Sequence, residues 1–297
     1  REGIFLTRNY MPYMAGLDRL APVANVGKVD SEGFDGNFAL KHKFGQWDLT
    51  LRGNITYSKN TIIERDEENA YYKYQLQRGY RVNQARGLVA LGLFNDYDEI
   101  RNSPTQKFGD YQPGDIKYKD VNGDGLVDGG DVVAIGATEK PNLIYGVGLS
   151  ARWKSFDFNI HFQGAGKSSY CIQGPSVYAF SEKEIGNALV DLLEDRWIDS
   201  AISGKESTMN PNASYPRLSY GGHANNYRAS SFWLRNGAYL RLKTLEIGYN
   251  LPQKWVNKIY SKNIRLFFIG TNLLTFSEFK LWDPEMGSTT GAHYPLA

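Results

Sequence analysis

The stretch Gln46-Trp-Asp-Leu-Thr-Leu-Arg-Gly-Asn-Ile-Thr-Tyr-Ser-Lys59 sorts its side chains by parity. Trp47, Leu49, Leu51, Gly53, Ile55 and Tyr57 fall on one side of an extended chain, and Asp48, Thr50, Arg52, Asn54, Thr56 and Ser58 on the other. A period of two held this long is a β-strand with one apolar and one polar face. Just upstream, Phe38, Leu40 and Phe44 alternate with Asn37, Lys41 and Lys43. Only Gly45-Gln46 separates the two runs, so they form a hairpin. The unit recurs. Leu143, Tyr145, Val147, Leu149, Ala151 and Trp153 share a parity, Lys154-Ser155 turns the chain, and Phe156, Phe158, Ile160 and Phe162 return opposite Asp157, Asn159, His161 and Gln163. A third unit runs 239–251, passes Pro252 and a short helical stretch, and returns through 264–276.

Two architectures use such strands. A sandwich buries the apolar face against a second sheet. A transmembrane barrel turns it to lipid and keeps the polar face for its lumen. Three details favour the barrel. Phe44, Trp47, Trp153 and Phe156 flank the two tight turns, and Tyr57 lies ten residues beyond Trp47, about one bilayer crossing for a tilted strand with aromatic girdles. Connections alternate between two-residue turns and segments as long as 168–230. Charged Lys41, Asp48, Arg52 and Arg152 stand well inside strands, where a wet lumen accommodates them.

Composition narrows the rest. The 297 residues carry 34 Lys+Arg against 32 Asp+Glu, so no basic excess neutralises a phosphate track and nucleic acid is not an expected partner. A single cysteine, Cys171, excludes an internal disulfide framework and a Cys-rich zinc site. No apolar run approaches the ~18 residues of a membrane helix, a limit that does not apply to strands. Twenty Tyr, 15 Phe, 6 Trp and 31 Gly suit strands and loops.

One loop has a metal-binding pattern. Asp120, Asn122, Asp124 and Asp128 put hard oxygens at positions 1, 3, 5 and 9 of a calcium-type loop, with the Leu126 carbonyl at 7, Gly125 at the sharp turn and Asp131 at 12. Asp131 stands where Glu is usual, with shorter reach, and strand-like segments replace the usual flanking helices. A structural calcium is the expectation, with a solvated Asp-Gly turn as the alternative. The four histidines, His42, His161, His223 and His293, show no ligand spacing, and no nucleophile elbow or phosphate loop is present. No catalytic residues are expected. Residues 181–198 read as a helix capped by Ser181, with Glu184 three residues on and a stripe of Ile185, Leu189, Leu192 and Leu193.

A series of motifs then carries a resemblance. In order they are Asn25-Val-Gly-Lys-Val29 with Glu32-Gly-Phe34, Gly92-Leu-Phe94 with Asp98-Glu-Ile100, and Gly114-Asp-Ile-Lys-Tyr-Lys-Asp-Val-Asn-Gly-Asp-Gly125. Ile135-Gly136, Pro141, Arg196-Trp197, Tyr215-Pro-Arg-Leu218, Ser231-Phe-Trp-Leu234 and Ala238-Tyr-Leu-Arg-Leu-Lys243 follow. The series closes with Ile247-Gly-Tyr-Asn-Leu-Pro252, Gly270-Thr-Asn-Leu-Leu274 and Asp283-Pro-Glu285. Together they cover nearly the whole chain, which resembles the C-terminal barrel region of SusC/RagA-type TonB-dependent outer-membrane transporters.

The resemblance implies an all-β antiparallel segment, residues 1–297, of a barrel expected to have 22 strands. Signal peptide, plug, TonB-contacting segment and last strand are expected beyond this sequence. It implies nutrient import across a Gram-negative, Bacteroidetes-like outer membrane, of a glycan or peptide, driven through TonB and assisted by a SusD-like surface lipoprotein. Asp48, Arg52, Asn54, Arg152, Asn159 and Gln163 are then the expected lumen lining. With the tight turns periplasmic, residues 60–141, 168–230 and 278 onward lie outside. There Tyr71, Tyr72, Tyr74, Tyr80, Tyr170, Tyr178 and Trp282 are candidates for stacking on the substrate or packing against the lipoprotein; packing their own loops is the plainer alternative. A secreted soluble β-sandwich that binds carbohydrate and one structural calcium is the rival reading, and a hydrolase a more distant one.

Overall fold

The computed structural model describes residues 1–7, 22–67, 70–181, 187–199 and 210–291. In chain order the strands are β1 (Ile4–Thr7), β2 (Val23–Phe44), β3 (Trp47–Glu64), β4 (Gln84–Gly87), β5 (Ala90–Leu93), β6 (Thr105–Gln106), β7 (Ile116–Tyr118) and β8 (Leu126–Val127). Then come β9 (Val133–Thr138), β10 (Leu143–Trp153), β11 (Phe156–Gly166), β12 (Ser169–Cys171), β13 (Leu234–Asn236), β14 (Tyr239–Asn250) and β15 (Arg265–Ser277). Seven of them form one antiparallel sheet in the order β1-β2-β3-β10-β11-β14-β15. The other eight pair two by two within the long connections. Among the described residues the sheet is open, with β1 and β15 at its edges.

Register keeps the two parities apart across the strands. Leu51 faces Leu149 and Leu40, and Leu149 faces Ile160; on the opposite parity Arg52 faces Gly148, and Gly148 faces His161. A one-residue slip would invert every side chain; the bulge between His161 and Phe162 instead keeps Leu242 with Phe162 on the apolar side. Glycines and aromatics interlock on that side: the Phe38 ring lies over Gly53 and the Tyr145 ring over Gly164, where a Cβ would overlap them.

The apolar face is not covered. Leu40, Leu51, Ile55, Val147, Leu149, Ile247, Phe268 and Phe276 are all exposed. A sandwich would bury this face against a second sheet, and no described element does so. At the tight-turn end it closes in a row of rings. Trp47 stacks on Trp153 at 5.5 Å, Trp153 on Phe156 at 6.2 Å, and Phe156 meets Tyr249 at 4.6 Å. Ten residues up β3, Tyr57 meets Phe34 at 5.8 Å. Ten residues of strand tilted by 45° rise about 23 Å, near the ~25 Å apolar band of outer-membrane barrels.

The hydrophobic core lies elsewhere, in the long connections. Leu88, Ile116, Tyr118, Val127, Tyr170, Ile172, Val177, Trp233 and Phe279 form one buried cluster. Trp233 is fully buried at its centre, its Nε1 donating to the Asn226 carbonyl at 2.7 Å. The segments after β3, β11 and β15 thus fold into a single loop body at one end of the sheet. Among the described residues its helices are short: α1 (Tyr97–Arg101), capped by Asp96, and α2 (Val190–Glu194). The helix expected over 181–198 is therefore corrected. Residues 182–186, with Glu184 and Ile185, lie outside the described residues, and Leu189 is extended. Beyond Glu194 the chain leaves the helix because Trp197 N–H donates to the Tyr215 carbonyl. Of the expected stripe Leu192 is buried. A third helix, α3 (Gln253–Val256), lies in the connection between β14 and β15.

Candidate functional site

The polar face of the sheet gathers all six residues expected to line a lumen. Asp48 pairs in register with Arg152, Asn54 shares a rung with Gly146 and Gln163, and Asn159 lies beside Ser150, which donates to it at 3.0 Å. Arg52 lies one rung from Asn54's, opposite Gly148 and in line with His161. Nearer the tight turns the charges neutralise one another. Arg265 reaches Glu246 at 2.6 Å and also pairs with Asp157. Gly248 makes that bridge possible, because a Cβ there would lie 2.7 Å from Arg265 Nε.

At the other end, Arg241 is 3% exposed and pairs with Asp283 and with Glu285 at 2.8 Å, which also holds Lys243 at 2.9 Å. The Asp283-Pro284-Glu285 turn thereby ties the loop body to β14. Burial raises the Asp283 carboxyl, but its bond from Arg241 and the Glu285 N–H outweigh this, leaving it below the usual carboxylate range.

Inside the loop body a polar node joins motifs more than a hundred residues apart. Asp115, fully buried, pairs with Arg217 at 2.9 Å, accepts from Arg217 Nη2 at 3.1 Å, from Asn226 at 2.8 Å and from the Gln112 N–H at 2.8 Å, and His223 Nε2 lies 3.3 Å away. Asn226 N–H donates to His223 Nδ1 at 3.2 Å, and Arg217 Nη2 lies 3.0 Å from His223 Nε2. Burial pushes the Asp115 carboxyl up; the contact with His223, then Arg217 and Asn226, reverse this and hold it below the usual range. Next to it Gln106 Nε2 donates to Asn225 at 2.7 Å, and Gln106 Oε1 accepts the Tyr118 N–H at 2.7 Å. A Cβ on Gly114 would overlap the Trp197 indole. Sequence reasoning named none of these as site residues, though Gly114-Asp115 and Pro216-Arg217 stand within the motifs it quoted. The Asp115 carboxylate is fully partnered and buried, and the chemistry of the cluster is structural.

The calcium-type loop is held by its own backbone. Asp120 accepts N–H groups of Gly123 and Gly125, Asn122 that of Asp124, Asp124 that of Leu126, and Asp128 that of Gly130. Asp131 is fully buried, accepting from Val121 at 2.7 Å and Asp128 at 2.9 Å. Among the described residues no group of three His, Cys, Asp or Glu side chains converges as a metal site. The donor set suits a hard cation, but its arrangement here is that of a self-capped turn.

The candidate aromatics divide. Tyr170, expected as a possible contact, is instead core: it is 2% exposed and edge-on to Phe279 at 5.3 Å, because β12 turns it inward. Tyr178 stacks on Tyr227 at 4.3 Å, and Trp282 lies edge-on to Phe279 at 4.8 Å. Tyr80 lies under the Arg86 guanidinium at 5.3 Å. Tyr71 is 90% exposed, edge-on to Tyr72 at 4.7 Å, and Tyr72 stacks on Tyr74 at 5.3 Å. Tyr74 donates to the Gly130 carbonyl at 2.8 Å, which seats this ladder on the acidic loop.

Comparison with known proteins places these features. No family model matches. TonB-dependent receptor P26 of Formosa agariphila is 30% identical over 90% of this chain and 26% of its own length. TonB-dependent receptor SusC of Bacteroides thetaiotaomicron is 23% identical over 92% of this chain and 26% of its own. Among solved structures, that titled the RagAB peptide transporter superposes with a TM-score of 0.66 at 19% identity, covering 98% of this chain and 30% of its own. The chain spans under a third of the length of the relatives it matches. Along nine-tenths of its sequence and throughout its fold it follows these receptors, and it belongs to the SusC/RagA-type TonB-dependent receptors.

Proposed function

We propose that the receptor carrying this chain imports a nutrient across the outer membrane of a Bacteroidetes-like cell, with this sheet forming part of the barrel wall. The observation that carries the reading is an apolar sheet face left uncovered between a row of rings at the tight turns and the Phe34–Tyr57 pair ten residues up β3, backed by a polar face. Lipid meets the first face. The second, with Asp48, Arg52, Asn54, Arg152, Asn159 and Gln163, lines the lumen. The loop body then stands outside the cell, and its ladder of exposed Tyr71 on half-buried Tyr72 offers a stacking surface to a glycan or peptide, or to a SusD-like lipoprotein. The receptors named above support an energy supply through TonB, acting on segments beyond this sequence, so this chain carries no chemical step of its own. A structural calcium in the Asp120–Asp131 loop belongs to the same proposal: it requires Asp120, Asp124 and Asp128 to turn oxygens from backbone N–H groups toward the ion.

Full-length receptor tests this. It is expected to fractionate with outer membranes and to run faster unheated than boiled, and a strain lacking it should lose growth on the imported nutrient. A freely soluble protein without heat-dependent mobility overturns the reading.

A further inference from the structure

We propose that a hollow in the polar face, at mid-height of β10, binds a carboxylate-bearing solute, with Arg52 as its charged contact; this rests on the import reading above. The hollow is made by two glycines. A Cβ on Gly146 would lie 2.6 Å from Asn54 Oδ1, and one on Gly148 3.2 Å from His161 Nδ1. With no side chains on β10 at these rungs, Asn54 and His161 lean in from the neighbouring strands over an opening of about 530 Å³, within the size range of small-molecule sites. Asn37, Ser150, Asn159 and Thr244 complete a rim rich in amides and hydroxyls.

Charge selects the ligand. Among the described residues Arg52 has neither an ion-pair nor a hydrogen-bond partner, while Asp35 accepts from Thr56 at 2.6 Å, Asp157 and Glu246 pair with Arg265, and Asp48, on the Asp157 rung, stands between Arg152 and Lys43. Lys41, one rung from Ala39 and facing Thr50, adds a second positive charge on the same face. A guanidinium beside several neutral donors, with no carboxylate of its own, recognises an oxyanion in forked geometry. The carboxylate could belong to a uronate-containing oligosaccharide or to an acidic peptide, and the test separates them.

Full-length receptor in detergent is titrated at low salt with trigalacturonate and its methyl ester, and with triglutamate and triglutamine peptides. Wild type is expected to bind one acidic probe about tenfold more tightly than its neutral counterpart, with the preference shrinking as salt rises. Arg52→Gln should abolish the preference, while Gly146→Val, which fills the hollow, should weaken both forms. Which acid is preferred identifies the source. Equal binding of acidic and neutral forms, no binding of either pair, or a preference that survives Arg52→Gln overturns the proposal. Heat-dependent mobility of the same samples reports the barrel separately: where it persists and the preference is absent, this site fails and the import reading stands.

Discussion

The sheet and the loop body solve the problem of stability in opposite ways. The sheet leaves Leu51, Val147, Leu149 and Phe268 exposed and buries few side chains, relying on strand pairing and on whatever meets its apolar face. The loop body closes around Trp233 and satisfies a buried carboxylate within itself. One chain therefore holds a region whose apolar face is left uncovered and a region that carries its own core. Substitutions should separate the two.

The largest effects are expected in the loop body. Trp233→Ala removes a fully buried indole and should cost about 3–5 kcal/mol, read as rapid protease cleavage of residues 84–138 with the heat-dependent mobility of the barrel retained. Asp115→Ala leaves Arg217 without its partner and should cost a similar ~3–5 kcal/mol. Loss of the barrel together with the loop body would erase the division drawn between them.

On the sheet the size of an effect should follow parity. Leu149→Arg places a charge mid-height on the apolar face, expected to destabilise by about 2–4 kcal/mol in lipid, whereas Thr50→Arg on the polar face should cost about 0–1. Folding yields into lipid vesicles at graded urea measure both. Equal costs would mean that the apolar face does not meet lipid.

The pH response should also divide. Burial raises Tyr178 from 10.0 to about 12, and raises Tyr118, Tyr170 and Tyr227 in the same direction. A raised tyrosine contributes stability that is complete below the unfolded value near 10 and lost as pH climbs through the folded value. Near-ultraviolet circular dichroism of the loop body should therefore fade between about pH 10 and 12, and Tyr178→Phe should reduce that dependence. Asp115, held low, acts at the other end: its contribution is present above about pH 4 and is lost as pH falls through its folded value. A loop body indifferent to both limits would contradict the buried positions assigned to these groups.

The two regions were also unequally legible in sequence. Alternation of Trp47, Leu49 and Leu51 with Asp48, Thr50 and Arg52 is a local signal, and backbone geometry turns it directly into faces and register. The Asp115 node is non-local. Gln106, Asp115, Arg217 and Asn226 are polar residues in long connections, which ordinarily face water, and only folding shows that a span of over a hundred residues closes on one carboxylate. Tyr170 misled for the same reason, since nothing beside it in sequence shows which way β12 turns. The acidic loop read as a metal site because spacing fixes donor identity but not where each oxygen points.

That loop gives the smallest and most discriminating comparison, because it belongs to the region that holds itself. Its turns are closed by backbone N–H groups on Asp120, Asn122, Asp124, Asp128 and Asp131, so an ion would add to a structure already formed. At 1 mM calcium and the ~10⁻⁴–10⁻³ M affinities of extracellular modules, the gain is about 0.4–1.4 kcal/mol. Calorimetric titration of the full-length receptor should show weak binding that Asp120→Ala and Asp124→Ala remove with little loss of stability. Asp131→Ala should behave differently: it orphans the Val121 and Asp128 N–H groups in a buried position and should cost about 1–3 kcal/mol with or without calcium. No heat at millimolar calcium, with Asp131→Ala still destabilising, would show that the acidic pattern serves the backbone alone.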